Sequence, residues 1–446
     1  MARIVVIGAG AAGISAASTA KQYDRSLEVT LIGDLAHTAY SPCGIPYVFG
    51  REVASFDDLF LQKSEFYTEE IGLDLRLSTF VERIDMASRT VEMGGGERLP
   101  FDRLILCTGW QYVLPEIPGI ELEGIHFVKD IDRAREIDRA LDGVDSVVVW
   151  KARPVGLELA TGLAHRGKQV TVIDEEPWLL AEFADPDVMQ MGQESLEKLG
   201  VRFLLSTRLR ELKGRDGRLV SAITAPGEIA CQMAFMAADQ KPDTRLARQI
   251  GVRLGSAGGI VVDDAMRTNV ADVFAAGAVV ETPQAIAEVP VRLMPGTYAY
   301  TQGRVAGANA AGDERHYRAV HVPWAMEVGT TQVGGVLITE TLARALGRPY
   351  IIGEAKGISC ARYHPKVEPM RVKMLADPAT REVIGIQFAG GDGVKERADF
   401  MAFAMRKHAT IDELATMENV YSPPIGALNE PIAVAARNAV AAAAGK

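Results

Sequence analysis

One cysteine near the start of the chain has neighbours that suit thiol chemistry. Cys43 lies in the run Ser41-Pro42-Cys43-Gly-Ile-Pro-Tyr, where proline and glycine force a turn. A thiol at the N-terminus of a following helix has a lowered pKa, so thiolate is available at neutral pH. Because the thiolate is the nucleophile of disulfide exchange, we expect Cys43 to be redox-active.

The other three cysteines, Cys107, Cys231 and Cys360, are interpreted as small buried side chains. No cysteine has a partner at CxxC spacing, and four cysteines in 446 residues fit a reducing compartment rather than a disulfide scaffold. No metal site is predicted.

A glycine loop stands between a β-rich run, residues 3–7, and a helical pattern that ends near residue 23. Its glycines are Gly8, Gly10 and Gly13, with Ala11 and Ala12 before the last of them. The first glycine permits a tight turn, the second lets the backbone approach a pyrophosphate, and the third lets helix and strand pack closely. Free N–H groups at the helix N-terminus favour phosphates. The loop therefore predicts a dinucleotide site.

An acidic residue is expected at the end of the next strand, residues 28–32, where it would hold the adenosine ribose. That position is Gly33. The neighbouring Asp34 can serve if the loop turns one residue later.

The same strand, turn, helix and strand order recurs in residues 146–173. A strand at 147–149 is followed by a turn ending in Gly156, a helix at 157–165 and a strand at 169–173. Two such units predict two Rossmann-like dinucleotide-binding domains, each built on a mostly parallel sheet.

The predicted fold class is α/β, with a C-terminal α+β domain after the two dinucleotide-binding domains. We expect a first domain from residues 1–112 and 246–318, a second from residues 113–245, and the C-terminal domain from residues 319–446.

Bulk composition limits the partners. A net charge of −10 and a pI near 5.4 argue against nucleic acid, since affinity for phosphate polymers comes chiefly from Lys and Arg. No apolar run approaches the ~20 residues of a membrane span, so membrane insertion is not expected. The N-terminus runs straight into a strand pattern without a secretory leader, and we expect a cytoplasmic protein.

Several of these motifs together resemble the single-cysteine branch of the pyridine nucleotide-disulfide oxidoreductases, which contains coenzyme A disulfide reductases, persulfide reductases and NADH oxidases. They are the glycine-rich start, the Cys43 run, Thr108-Gly109, the segment 268–277 and the segment Tyr421-Ser-Pro-Pro. The resemblance spans nearly the whole chain. It is specific to the branch because the glutathione-reductase type has a CxxxxC pair where this chain has Cys43 alone.

The resemblance implies a homodimer whose subunits each carry an FAD domain, an NAD domain and a C-terminal interface domain. Cys43 would lie near the flavin and cycle between thiolate and a mixed disulfide, persulfide or sulfenic acid. Tyr421 matches a family tyrosine delivered from the other subunit, and Tyr363 would belong to the same substrate region. Beyond the glycine loop and Asp34, the residues implied to contact FAD are Ser41, Pro42, Thr108, Gly109, Gly277 and Ala278.

The second glycine loop departs from the family pattern. In the frame that ends at Gly156, the first two glycine positions hold Lys151 and Arg153. A side chain at the second position enters the space that the phosphates need. The cations could abolish nucleotide binding, hold a different anion, or bind a dinucleotide in a shifted pose. Asp174 stands where an acid selects NAD over NADP, and it could equally be a relic.

A further departure is Ala278, which replaces the family aspartate near the ribityl chain. Losing one such polar contact costs only about 0.5–1.5 kcal/mol, so FAD binding is still expected.

Three functions follow from these patterns. The first is an FAD-dependent enzyme that moves electrons between NADH or NADPH and a small disulfide, persulfide or oxygen. The second is an FAD-containing electron-transfer subunit of a larger redox complex, with ordinary NAD binding lost or altered. The third is a non-catalytic relative that serves as a structural or ligand-sensing component.

Overall fold

The computed structural model describes residues 2–286, 290–292, 295–318 and 320–445. The chain forms two compact units, each assembled from separate segments. The first unit comprises Met1–Pro42, Ser55–Leu114 and Asp239–Val320, and the second comprises Cys43–Ala54, Pro115–Ala238 and His321–Lys446.

The first unit is built on a five-stranded parallel sheet. Its strands are rich in Val, Ile and Leu, and almost every side chain in the central ones is buried, as expected for a sheet covered on both faces. In spatial order they are Val273–Ala275, Arg103–Leu106, Arg3–Ile7, Glu28–Ile32 and Asp74–Arg76.

Smaller elements complete the first unit. Its other strands are Val81–Asp85, Thr90–Met93 and Arg98–Pro100 in one sheet, Trp110–Tyr112 with Gln240–Pro242 in another, and Ile260–Val261, Val280–Pro283 and Pro290–Arg292 in a third. Its helices are Ala11–Tyr23, Arg245–Gln249 and Gly296–Ala311, with a 3-10 turn at Phe56–Leu59 and a π turn at Phe66–Ile71.

Helix Ala11–Tyr23, which follows the first glycine loop, packs closely against helix Gly296–Ala311. A Cβ atom at Gly303 would lie 2.3 Å from the carbonyl oxygen of Ala12, and one at Gly307 would lie 2.1 Å from that of Ala16. Only glycine fits at such distances, so the two backbones are in direct contact and helix Ala11–Tyr23 is held firmly.

The second unit repeats the parallel sheet. In spatial order its strands are Arg202–Leu204, Gln169–Ile173, Ser146–Trp150, Met233–Met236 and Ile125–His126. Beside it lies an antiparallel sheet of Leu209–Arg215, Arg218–Thr224 and Glu228–Ala230. The helices of this part are Ile45–Phe49, Ile131–Leu141, Pro154–His165 and Pro186–Lys198.

The C-terminal part of the second unit is a five-stranded antiparallel sheet with helices. In spatial order the strands are Pro323–Val328, Thr331–Leu337, Val383–Gly390, Pro369–Ala376 and Ile351–Ile358. The helices are Glu340–Ala345, Val394–Arg406, Ile411–Ala415 and Pro431–Ala443. The last helix packs on this sheet, where a Cβ at Gly353 would lie 2.1 Å from the oxygen of Ala435.

The predicted fold class is confirmed. Four strands of each parallel sheet have the same order, whereas the fifth, at the edge, is the last in sequence in the first sheet and the earliest in the second. In both sheets the strand at the centre, Arg3–Ile7 or Ser146–Trp150, leads through a loop into a helix as the sequence indicates. The domain boundaries drawn from the sequence stay predictions.

Candidate active site

The first glycine loop has the shape that a pyrophosphate needs. Gly8 has a φ of +106°, and a Cβ there would lie 2.1 Å from the oxygen of Cys107. A Cβ at Gly13 would lie 1.7 Å from the oxygen of Gly8. A Cβ at Gly10, by contrast, would have no atom of the described residues within 4 Å, apart from its chain neighbours. The turn and the packing therefore require glycine, while the middle position faces open space that a phosphate could occupy.

A cleft beside this loop collects residues from several strand ends. Asp34 lines it together with Gly8, Thr108 and Asp243. The hydroxyl of Thr108 donates to the carbonyl of Asp243 at 2.6 Å. Asp34 is exposed and borders the same cleft as Gly8. This position is compatible with the hypothesis that Asp34, rather than the residue at position 33, contacts the adenosine ribose.

Gly277 lies against the helix of the first loop. Its φ is +86°, and a Cβ there would lie 2.8 Å from the Cβ of Ala12. Its N–H donates at 2.8 Å to the side chain of Gln302, which is almost fully buried. Ala278 next to it is also buried. Gln302 was not singled out from the sequence, because it stands at a helical position without any motif around it.

Cys43 lies in a 3-10 turn, Pro42–Gly44, that leads into helix Ile45–Phe49, here called the cysteine helix. Cys43 is an exposed residue, whereas the other three cysteines are buried as expected. Burial raises the pKa of Cys107 and of Cys231 to about 12.

The expectation of a lowered Cys43 pKa is wrong for the chain as the structure has it. Although Cys43 is exposed as a residue, desolvation of its thiol by the surrounding protein raises the thiol pKa, and the negative charge of Glu158 raises it further. The cysteine helix has only five residues, so its dipole is too small to oppose these two effects.

Glu158 is a functional candidate that the sequence reasoning missed. It lies on helix Pro154–His165, here called the loop helix, and burial raises its pKa to about 7. Its charge also raises the pKa of Tyr47 on the cysteine helix, after desolvation. The sequence feature that could have identified Glu158 is its position two residues after Gly156, as a carboxylate in an otherwise mostly apolar helix.

The second loop follows the path of the first despite its different residues. The N–H of Lys151 donates to the oxygen of Ile173 at 2.8 Å, just as that of Gly8 donates to Ile32 at 2.8 Å. Lys151 has a φ of +79°, a left-handed conformation that costs a non-glycine residue about 1 kcal/mol. The backbone shape of a dinucleotide loop is thus kept without its first glycine.

The two cations of the second loop are held by neighbouring side chains. The guanidinium of Arg153 forms an ion pair with Glu182 at 2.6 Å, and the ammonium of Lys151 lies 5.1 Å from the ring centre of Trp150. Arg153 has the N-cap position of the loop helix, as Gly10 has in the first loop. Its Cβ therefore occupies the place that is open at Gly10.

The side chain of Asp174 is buried and hydrogen-bonded within the protein. One carboxylate oxygen accepts from the N–H of Ala152 at 2.6 Å and the other from the N–H of Glu176 at 3.1 Å. The residue is 3% exposed. Since both oxygens accept hydrogen bonds from backbone amides, the Asp174 carboxylate stabilises the conformation of the second loop.

Tyr363 and Tyr421 lie together at the surface of the C-terminal part. Their hydroxyl groups are 3.1 Å apart, and the side chains are 75% and 44% exposed. Two tyrosines far apart in the sequence therefore form one pair, which the sequence pattern had linked only through the family resemblance.

No helix in the described ranges is long and apolar enough to cross a membrane. No group of three or more His, Cys, Asp or Glu side chains within those ranges is arranged to hold a metal ion.

Comparison with protein families gives two matches that together span most of the chain. The family described as pyridine nucleotide-disulphide oxidoreductase matches residues 2–303, and its dimerisation domain matches residues 322–431.

Individual proteins of similar sequence cover almost the full length. An NADH oxidase of Methanocaldococcus jannaschii is 34% identical over 445 residues, which is 98% of each chain. An NAD(P)H coenzyme A polysulfide/persulfide reductase of Pyrococcus horikoshii is 30% identical over 439 residues, again 98% of each chain. Among solved structures, the NAD-dependent persulfide reductase from A. fulgidus superimposes with a TM-score of 0.96 at 28% identity, and covers 99% of this chain and 84% of that one.

Proposed function

Because the chain belongs to the pyridine nucleotide-disulphide oxidoreductase family, we propose that it is an FAD-dependent enzyme that moves electrons between NAD(P)H and a small sulfur substrate or oxygen through Cys43. The observation that carries this proposal is the exposure of Cys43, since the other three cysteines are buried. Only an accessible thiol can reach both a substrate sulfur and a redox cofactor.

The residues of the first loop fit the phosphates of FAD. The open space at Gly10 and the free N–H groups at the start of helix Ala11–Tyr23 would receive the pyrophosphate. Asp34 would hold the adenosine ribose, and Ser41, Pro42, Thr108, Gly109, Gly277 and Ala278 would lie along the rest of the cofactor. Bound FAD supplies two-electron transfer between a nicotinamide and a thiol pair.

Cys43 performs the sulfur chemistry. Its thiolate attacks one sulfur of a disulfide or persulfide, forms a new S–S bond and releases the other sulfur as a thiolate. Two electrons then break this bond and regenerate the Cys43 thiolate, while the second released thiolate takes up a proton. For oxygen as acceptor, two electrons and two protons would first convert oxygen to hydrogen peroxide. The Cys43 thiolate would then attack one peroxide oxygen, break the O–O bond, form a sulfenic acid and release hydroxide, and two further electrons would return the sulfenic acid to the thiolate with release of water.

The acceptor is proposed from the relatives. Proteins named persulfide reductases and NADH oxidases both align over nearly the whole chain. A small persulfide or coenzyme A disulfide suits the single exposed cysteine, because one cysteine forms a mixed disulfide with a small thiol where a second cysteine is lacking.

A homodimer would complete the site. The dimerisation-domain match includes both tyrosines, and Tyr421 of one subunit would face Cys43 of the other with Tyr363 beside it. A hydroxyl pair at 3.1 Å is suited to donate a hydrogen bond to a leaving thiolate.

Anaerobic stopped-flow absorbance near 450 nm tests the proposal. The purified protein is mixed with NADH, and separately with NADPH, and then with a persulfide or coenzyme A disulfide. We expect bleaching by one nucleotide, a long-wavelength band from the Cys43 thiolate, and reoxidation by the sulfur substrate. A yellow protein that only dithionite reduces would overturn the nicotinamide-linked reaction.

The second loop favours an alternative, an FAD-containing electron-transfer subunit of a larger complex. Arg153 occupies the place that is open at Gly10, and Asp174 already binds two backbone amides. Both features oppose ordinary NAD binding. Reduction by a co-purifying redox protein, and by neither nucleotide, would support this alternative.

A further inference from the structure

We propose that Phe80 and Arg245 hold the adenine end of FAD and thereby set how fast the cofactor leaves the protein. The inference rests on the proposed function, in which the first glycine loop binds FAD. It deepens that proposal by assigning a recognition role to two residues that belong to no motif. Both residues lie in the first unit.

The cleft beside the first loop includes more than the residues that fit phosphate and ribose. Gly8 at the phosphate turn and Asp34, the proposed ribose ligand, line this cleft. Phe80, Val81 and Arg245 line it too. Since the adenine base is attached to the ribose, a cofactor held by the loop and by Asp34 would place its base against this remaining lining.

The lining of the cleft suits a nucleobase. Buried apolar side chains contribute to it, namely Ile7, Ile32, Val81 and Leu246. Phe80 is 54% exposed in the same lining, so its ring offers apolar surface that a bound base would cover. Cofactor sites are typically apolar with a few polar groups, and bases stack on aromatic rings and guanidinium planes. A phenyl ring beside a guanidinium therefore matches the adenine base.

Arg245 is fixed beside Phe80 by three contacts. Its guanidinium carbon lies 4.6 Å from the centre of the Phe80 ring, within the range of a cation–π interaction. Its Nη1 donates to the carbonyl of Glu82 at 2.8 Å, and its Nη2 donates to the carbonyl of Val81. Because these contacts order the guanidinium in advance, a base that stacks on the pair meets a preformed surface.

The Phe80–Arg245 pair joins two distant segments of the chain. Arg245 and Gln249 belong to one short helix, whereas Phe80 directly precedes strand Val81–Asp85. The side chain of Gln249 also donates to the carbonyl of Glu82, at 3.1 Å. This wall of the cleft is therefore complete only where residues 239–320 meet the N-terminal part of the unit, and no pattern along the sequence indicates it.

A purely structural role of the pair has a different consequence from a role in binding. Loss of a structural contact lowers the melting temperature and leaves the hold on FAD unchanged. Loss of a binding contact appears chiefly in the dissociation rate, because most affinity differences between variants of one site lie there. The release rate of FAD therefore separates the two roles.

Release of FAD from the holoprotein tests the inference without turnover. Each purified protein is diluted to nanomolar concentration, and the rise in flavin fluorescence gives the release rate. For Phe80→Ala and for Arg245→Ala we expect release about threefold or more faster than in the wild type, the effect of losing one stacking partner. Thermal unfolding followed by circular dichroism verifies that each variant is folded at the temperature of the measurement.

Arg248→Ala is the matched control for the loss of charge. Arg248 is exposed on the same helix as Arg245 and is not among the described residues that line the cleft. Its variant should release FAD at the wild-type rate. Arg245→Lys keeps the charge and loses the planar group, so its release rate should approach that of Arg245→Ala.

The double variant Phe80→Ala/Arg245→Ala tests whether the two residues act together. Its release rate should be lower than the product of the two single effects predicts, because either substitution alone already removes the pair.

Wild-type release rates in Phe80→Ala and Arg245→Ala would overturn the inference, as would an equal acceleration in Arg248→Ala. Unchanged release from a yellow protein counts against this inference alone. A protein isolated without flavin would overturn the inference and the proposed function together.

Discussion

Cys43 differs from the other cysteines in accessibility, and this makes one substitution decisive. Cys43→Ser removes the sulfur nucleophile and keeps the size of the side chain. We expect turnover of disulfide or persulfide to fall by on the order of 10³-fold or more, because hydroxyl cannot form the mixed disulfide. The 450 nm absorbance per subunit should be unchanged, since the first glycine loop is intact.

Cys360→Ser is the matched control for this change. Cys360 is buried and lies in the C-terminal part of the second unit. Steady-state rates should remain near the wild-type value. Equal losses in both variants would mean that Cys43 has no special role.

His126 makes the second unit sensitive to acid. It is 8% exposed, and its two ring nitrogens have no hydrogen-bond partner among the described residues. Burial, aided by Arg133, lowers its pKa to about 4. Between about pH 6.5 and pH 4 the unfolded chain binds a proton that the folded chain does not, so stability is present above this window and is lost as the pH falls, by up to about 3 kcal/mol.

His126→Phe tests this pH dependence because it keeps a ring and removes the titration. Thermal unfolding followed by circular dichroism should show a smaller drop in melting temperature between about pH 6.5 and 4.5 than in the wild type. His408→Gln, a change at an exposed histidine, should drop as the wild type does. An unaltered drop in the phenylalanine variant would assign the acid sensitivity to other groups.

Residues without a motif were beyond prediction from the sequence. Gln302 accepts a hydrogen bond from the N–H of Gly277, and the charge of Glu158 raises the pKa of Cys43. Both interactions join residues far apart in the sequence, and neither residue belongs to a sequence motif. The direction of the Cys43 pKa was predicted wrongly for the same reason, since the opposing carboxylate is distant in sequence. The turn around Cys43 was predicted correctly from proline and glycine.

Among the elements, the second loop keeps the backbone conformation of a dinucleotide-binding loop but not its glycine residues. Its path follows that of the first loop, although Lys151 replaces a glycine at a φ of +79°. Replacing Lys151 and Arg153 together by glycine should relieve strain and open the phosphate space. We expect the dissociation constant for NADH, measured by calorimetry, to fall by about tenfold or more, which is about 1.4 kcal/mol.

The double alanine variant at Lys151 and Arg153 is the control, because it removes the same charges and keeps both Cβ atoms. If space limits binding, only the glycine variant gains affinity. If both variants bind more weakly than the wild type, the cations themselves hold the phosphates and the expectation is contradicted.

Long elements with a clear period were predictable, and short ones were less so. The strands Arg3–Ile7, Glu28–Ile32 and Gln169–Ile173 match the predicted bounds because continuous Val, Ile and Leu are typical of buried parallel strands. The loop helix begins at Pro154, three residues before its predicted start, because proline is favoured in the first helical turn.

At the scale of the whole molecule, an apolar surface on the C-terminal segment indicates a second subunit. Val420, Ile425 and Leu428 are strongly exposed and lie within the dimerisation match. Ile425→Lys should shift the mass measured by light scattering from two chains toward one. Under the proposed function it should also lower turnover, because Tyr421 of the partner subunit would no longer reach the site. Leu61→Lys, an equally drastic change at an exposed leucine outside that match, should remain dimeric. A dimeric Ile425→Lys protein would place the interface elsewhere.

The second unit takes its cysteine segment, Cys43–Ala54, from a part of the chain that is made long before the rest of that unit. Gly162 on the loop helix contacts this segment at Pro46 and Gly50. During synthesis at about 5–20 residues per second, Gly162 leaves the ribosome about 110 residues after Ala54, and therefore roughly ten seconds later. Throughout this interval the nascent chain presents Ile45, Phe49 and a reactive thiol with no surface to receive them. Chaperone capture and unwanted disulfides are thus expected risks of translation for this protein. They should lessen when the loop helix emerges and end only after Phe235, which packs against Phe49, has followed it.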